Sequence, residues 1–173
     1  MRVLGIDPGS VVSGFGIVDG EGGRIRFVDA GHIGASSRLP FPERLKKMYD
    51  GIEAVISKHG PDAVAVENVF FARNAGSALK LGHARGVALL AAVNLHLPVF
   101  EYTPTEIKQS VVGYGGAEKA QVRQMVKTLL KLSVLPEPLD ASDALACAIC
   151  HIHSAGMKGA IRAAAAKTPR RPG

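Results

Sequence analysis

The chain has 173 residues, 47% of them hydrophobic and 21% charged, the length of one domain and a globular composition that excludes a disordered or collagen-like chain. A domain of this length buries about 70% of its unfolded surface and needs no disulfide or structural metal to fold. The formal net charge is +6, from 21 Lys and Arg against 15 Asp and Glu, with the excess concentrated in two places. Ser154 to Gly173 holds five basic residues (Lys158, Arg162, Lys167, Arg170 and Arg171) and no acid, and Arg73 to Lys131 holds eight basic residues against Glu101, Glu106 and Glu118. This pattern suits a polyanionic partner; a solvated surface with a solubilising tail accounts for it equally well, and charge alone does not separate the two.

In chain order, Arg2 to Asp7 reads as a short buried strand that ends on an acid, followed by a Pro8-Gly9-Ser10 turn. Gly14 to Val18 is a second strand, Asp19 to Gly23 a hairpin loop, and Arg24 to Ile33 an alternating third strand. Pro42 to His59 has helical spacing, with Leu45, Met48, Tyr49, Ile52, Val55 and Ile56 on one face, and Gly60-Pro61 ends it. Asp62 to Glu67 contains Val64-Ala65-Val66, a parallel-type strand that again ends on an acid. Ala75 to Leu97 is a long helix and Leu97 to Tyr102 a fifth strand. Helices follow at Pro104 to Val112, Glu118 to Leu132 and Asp140 to His153. Hairpins followed by strand–helix–strand crossovers predict an α/β fold with a mixed five-stranded sheet, helices on both faces, and the first strand beside the fourth. The expected domain is 1–153, and the Ala/Lys/Arg-rich remainder, 154–173, is expected to be disordered or a frayed helix.

Two cysteines are too few for a disulfide scaffold, and no apolar run approaches the ~20 residues of a membrane span. The first seven residues reach an acid and a Pro-Gly turn too early for a secretory signal, so a reduced, cytoplasmic compartment is expected. Cys147-Ala-Ile-Cys150-His151 has the form of a haem attachment site, but such a site needs an exported chain. The motif also lies in an apolar helix where cysteine acts as a small hydrophobe. Haem and zinc are therefore not expected.

Asp7 and Glu67 end neighbouring predicted strands and would meet at the carboxyl edge of the sheet, the usual crevice of an open α/β fold. Asp140 and Asp143 open the last helix on one face, ~5–6 Å apart. Each acid alone has an ordinary explanation: turn chemistry for Asp7, a solvent-reaching strand end for Glu67, an N-cap with a dipole-favoured acid for the pair. Together they would repel one another. No buried Arg or Lys partner is evident nearby in the sequence, so divalent cations are the expected relief, and all-oxygen ligands favour Mg²⁺ or Mn²⁺ over Zn²⁺.

Several segments together resemble one family. They are Gly5-Ile6-Asp7-Pro8-Gly9-Ser10, Glu67-Asn68-Val69-Phe70, Ser77 to Val87 (SALKLGHARGV), Pro98 to Tyr102, Lys108 to Gly113, Ala117 to Val122 and Asp140 to Ala146. In order and without large gaps, from about Arg2 to His153, they are similar to the RuvC crossover junction endonucleases. The resemblance implies a ribonuclease H-like fold and a homodimer that resolves four-way (Holliday) DNA junctions by paired symmetric nicks in homologous recombination and DNA repair. It implies that Asp7, Glu67, Asp140 and Asp143 are the catalytic, metal-binding carboxylates, and none of these positions departs from the family pattern. Two ions ~3.5–4 Å apart would then clamp the scissile phosphate, leaving 5′-phosphate and 3′-hydroxyl ends. The implied DNA contacts are Phe70, Arg73, Lys108 and Lys119, with Phe71 expected to be more buried than Phe70. The implied partner is the RuvA–RuvB branch-migration machinery.

Ala78, Gly82 and Gly86, at a spacing of four, let another helix approach closely. The resemblance places them in a dimer interface; packing on the chain's own sheet is the other reading. Three rival functions share these features. An actin-like or sugar-kinase phosphotransferase needs two such domains, and a junction-binding module without cleavage has no use for four intact acids. A ribonuclease H-like enzyme acting on RNA differs from the reading adopted only through the family match.

Overall fold

The structure, a computed structural model, describes residues 1–68 and 74–167, with 158–167 described by their backbone only. The elements run β1 (Arg2–Asp7), β2 (Val12–Glu21), β3 (Arg24–Gly34), α1 (Phe41–His59), β4 (Ala63–Glu67), α2 (Ala75–Asn94), β5 (Val99–Tyr102), α3 (Pro104–Val112), α4 (Lys119–Leu129) and α5 (Leu139–Lys167). The sheet order is β3-β2-β1-β4-β5. The first three strands form an antiparallel meander, while β4 pairs parallel with β1 and β5 parallel with β4. This is the expected mixed sheet, with β1 at its centre.

Strand alternation decides what each face carries. Leu4, Ile6, Ile17, Val64 and Val66 pack against Ile52 and Ile56 of α1 and Ala88, Ala91 and Ala92 of α2. Val3, Val18 and Ala65 face the other way, onto Leu145 and Ile149 of α5, with Ile107, Val122 and Val126 of α3 and α4 in the same core. Asp7 has the parity of Val3, and Glu67 that of Ala65. Both acids therefore leave the sheet on the α5 side, one step beyond the paired Ile6 and Val66.

Glycine sets how close α5 comes. A Cβ on Gly5 would lie 1.9 Å from the Ala144 carbonyl oxygen, and one on Gly14 2.1 Å from that of Asp140. Gly5 and Gly14 lie on adjacent strands, Gly14 directly opposite Asp7. The backbone of α5 thus rests on bare backbone of β1 and β2, and its first turn is delivered beside Asp7.

Several boundaries differ from the sequence expectation, among them α4, which ends at Leu129 rather than Leu132. Asp19, Gly20 and Glu21 pair with Arg26, Ile25 and Arg24, so the hairpin loop contracts to Gly22-Gly23, whose φ of 57° and 80° suit a tight two-residue turn. α2 stops at Asn94 rather than Leu97. α5 passes its predicted end at His153 and continues to Lys167, because the alanine-rich stretch beyond has high helix propensity and no proline before Pro169.

Gly5→Ala should overpack the β1–α5 contact. The expected cost is ~1–3 kcal/mol, read as a lower midpoint in thermal or urea denaturation. Wild-type stability would show that α5 shifts without cost.

Candidate active site

Asp7, at the carboxyl end of β1, meets Asp140 and Asp143 from the first turns of α5. One carboxylate oxygen from each of the three lies within 4.8 Å of the others. Glu67 ends β4 alongside. Asp7 and Glu67 both line one cleft with Lys108, Lys119 and Asp143. A larger cleft at the opposite edge of the sheet is lined by Asp19, Glu21 and Asp62, but among the described residues only Asp7, Asp140 and Asp143 bring their oxygens within metal-ligating distance of one another. The structure thus assembles all four sequence-predicted carboxylates and two of the predicted basic contacts.

The electrostatics show what this assembly costs. Burial, reinforced by the charges of Glu67, Asp143 and Asp140, pushes Asp7 from 3.8 up to about 8, with Lys119 opposing. Burial also raises Glu67, against the pull of Lys119. Three convergent carboxyl groups and a fourth beside them offer an all-oxygen, acidic donor set, which fits a hard divalent cation.

The expectation that these acids lack basic partners is corrected here. Asp143 accepts from Lys119 Nζ at 2.9 Å, and from Arg123 Nε at 3.4 Å and Nη2 at 3.3 Å. The helix α4 packs against α5 through Val122 and Val126, so residues 119 and 123, one turn apart, both reach Asp143. The i, i+4 spacing of Lys119 and Arg123 is the signal that could have exposed Arg123. At the start of α4, Gln121 accepts a hydrogen bond from the Glu118 backbone N–H at 2.8 Å, which fixes the turn that carries Lys119.

The remaining predicted residues fall elsewhere. Phe70, Phe71 and Arg73 lie outside the described residues. Ala78, Gly82 and Gly86 are exposed on α2, and a Cβ on either glycine would meet nothing within 4 Å, so the stripe does not pack on the chain's own sheet. Cys147 and Cys150 are free, buried thiols in the α5 core. Burial raises the Cys147 thiol strongly and that of Cys150 to about 11. His151, next to them, shares a 2.8 Å hydrogen bond with the Tyr102 hydroxyl.

The raised Asp7 carboxyl links stability to pH. Between about pH 4 and about pH 8 the folded, metal-free chain holds a proton on Asp7 that the unfolded chain has released. Folding takes up that proton, so stability is greatest below pH 4 on this account and falls as pH rises through 8, by at most about 1.4 kcal/mol per pH unit. Metal-free thermal melts of the wild type should decline more steeply over this window than those of Asp7→Asn. Parallel profiles would contradict the electrostatic account.

The family model described as crossover junction endodeoxyribonuclease RuvC matches residues 3–151. The chain is 56% identical over 162 residues to the crossover junction endodeoxyribonuclease RuvC of Geobacter sp. (strain M21), covering 94% of this chain and 98% of that relative. It is 57% identical over 157 residues to that of Citrifermentans bemidjiense, covering 91% and 95%. Among solved structures, Thermus thermophilus RuvC in complex with Holliday junction substrate matches with a TM-score of 0.87 at 37% identity, over 91% of this chain and 96% of that one. The yeast mitochondrial Holliday junction resolvase shares the fold, with a TM-score of 0.63 at 12% identity over 91% and 82%. With its ribonuclease H-like sheet and its acids at the carboxyl edge, the chain belongs to the RuvC family of crossover junction endodeoxyribonucleases.

Proposed function

We propose that this chain is a divalent-metal-dependent endonuclease that resolves four-way (Holliday) DNA junctions by paired symmetric nicks, in homologous recombination and DNA repair. The observation that carries the reading is the convergence of Asp7, Glu67, Asp140 and Asp143 in a cleft lined by Lys108 and Lys119, in a chain of this family. The four carboxylates hold Mg²⁺, with Mn²⁺ as a substitute, and two ions per site match the ligand supply. When bound, such ions supply an activated water and stabilise charge on the leaving 3′-oxygen, giving 5′-phosphate and 3′-hydroxyl ends. Asp7, on the central strand between the other acids, is the ligand best placed to be shared. Lys108 and Lys119 offset phosphate charge at the mouth of the cleft. Phe70 and Arg73, which follow Glu67 in the sequence, complete the proposed DNA contacts, with Phe70 stacking on an unpaired base.

Opposite strands of a junction are cut symmetrically by two identical sites related by a two-fold axis. The open faces of Gly82 and Gly86, together with exposed Leu79, Leu90 and Val93 on the same helix, support α2 as the dimer contact. The family relationship points to RuvA–RuvB as the partner complex and to the cytoplasm as the compartment. No described helix is long and apolar enough to cross a membrane.

Asp7→Asn should abolish Mg²⁺-dependent cleavage and leave junction binding intact in gel-shift assays, because binding is mostly phosphate electrostatics. Residual metal-dependent nicking near the wild-type rate would remove Asp7 from the ligand set. Gly82→Leu should retain the wild-type fold, since its own chain leaves that space open, but should sediment toward monomer and replace paired nicks by single ones. A stable dimer with paired nicks would place the interface elsewhere.

A further inference from the structure

The two cations that α4 brings to Asp143 differ in kind. Lys119 makes its 2.9 Å contact with a side chain that is 71% exposed. Arg123 is 19% exposed and Asp143 11% exposed. Arg123 addresses both carboxylate oxygens, Nε toward Oδ1 and Nη2 toward Oδ2. A lysine is a point charge on a flexible stem and exchanges partners readily in water, whereas an enclosed guanidinium presents a rigid planar fork matched to a carboxylate. The helix that carries the fork is fixed by Val122 and Val126 in the core that also holds Ala146 and Cys147, just beyond Asp143.

An ionised carboxylate has about four lone-pair positions. Arg123 engages one on each oxygen, and Asp143 still presents an oxygen within 4.8 Å of those of Asp7 and Asp140. Lys119, by contrast, acts on Asp7 and Glu67 as well as on Asp143, as a mobile charge in the middle of the acids does. An arriving divalent ion or phosphate can displace Lys119 into water without disturbing the packing of α4.

We propose that Arg123 is a positioning residue whose fork holds the Asp143 carboxylate turned toward Asp7 and Asp140, so that a divalent ion meets its ligands already arranged. The inference rests on the reading of Asp143 as a metal ligand. Removing Arg123 has two opposed effects. Losing a positive charge favours a cation, but Lys119 still contacts Asp143, so that gain is partial. Losing the fork frees Asp143 to rotate, and the loss of orientation governs. Partners that orient a metal's ligands characteristically contribute about 10- to 100-fold in metal affinity.

The test is Mn²⁺ titration of the full chain without DNA, followed by the electron paramagnetic resonance signal of free Mn²⁺. Arg123→Met, which keeps the aliphatic stem, should raise the Mn²⁺ Kd about 10-fold. Arg123→Lys, which keeps the charge but not the fork, should also bind more weakly than wild type, and it carries the test if Arg123→Met fails to fold in metal-free thermal melts. Asp143→Asn is the control for the underlying reading. If it leaves Mn²⁺ binding unchanged, Asp143 is not a ligand and both readings fall. If Asp143→Asn weakens binding while the Arg123 variants bind as tightly as wild type or tighter, Asp143 remains a ligand and the positioning role of Arg123 is overturned.

Discussion

The close approach of α5 to bare backbone at Gly5 and Gly14 is the contact on which the site depends. Strand pairing alone brings Asp7 beside Glu67. It does not bring Asp140 and Asp143, which belong to a helix far along the chain whose backbone would clash with a Cβ on either glycine. Packing energy is spent on burying an acid among other acids, and the raised Asp7 carboxyl records first its burial and then the neighbouring charges. A fold that accepts such a cost in its centre is arranged for a ligand that reverses it, and a hard cation does so directly.

The two faces of the sheet divide the remaining work. On the α5 face, α3 contributes Lys108 and α4 contributes Lys119 and Arg123, all directed at the acids. On the opposite face, α2 buries only its alanine edge, Ala84, Ala88, Ala91 and Ala92, against the core and leaves its glycine and leucine side outward. A helix this apolar with so small a buried edge has surface to spare for a second copy of the chain. The proposed dimer face is not remote from the acids, because Leu81, beside Gly82 on α2, lines the same cleft as Asp7 and Glu67.

Much of this was legible in the sequence because the signals were local and periodic. Val3 to Asp7 and Val64 to Glu67 showed two buried runs ending on acids, and the hairpin-then-crossover order placed them side by side. Asp140 and Asp143 were legible as a pair from their helical spacing. Arg123 was only half legible: its i, i+4 spacing puts it on the same face as Lys119, but that this face meets Asp143 depends on how α4 lies against α5, a long-range packing relation. The glycine contacts were hidden for the same reason: Gly5 and Gly14 read as ordinary strand residues until the helix above them is known. The run of α5 to Lys167 follows the frayed-helix alternative for the tail, because alanine between its lysines and arginines sustains a helix. The outward face of Gly82 and Gly86 could be decided only once their surroundings were known.

The central claim is that these gathered acids cut a four-way junction. The most direct measurement is to incubate the protein with a synthetic junction labelled in turn on each strand, with and without Mg²⁺, and to map the nicks at nucleotide resolution. The account predicts nicks at symmetric positions in two opposite strands, with 5′-phosphate ends, and none without the metal. Nicks confined to one strand, equal cutting of linear duplex or RNA–DNA hybrid, or cleavage that persists in a chelator would contradict it.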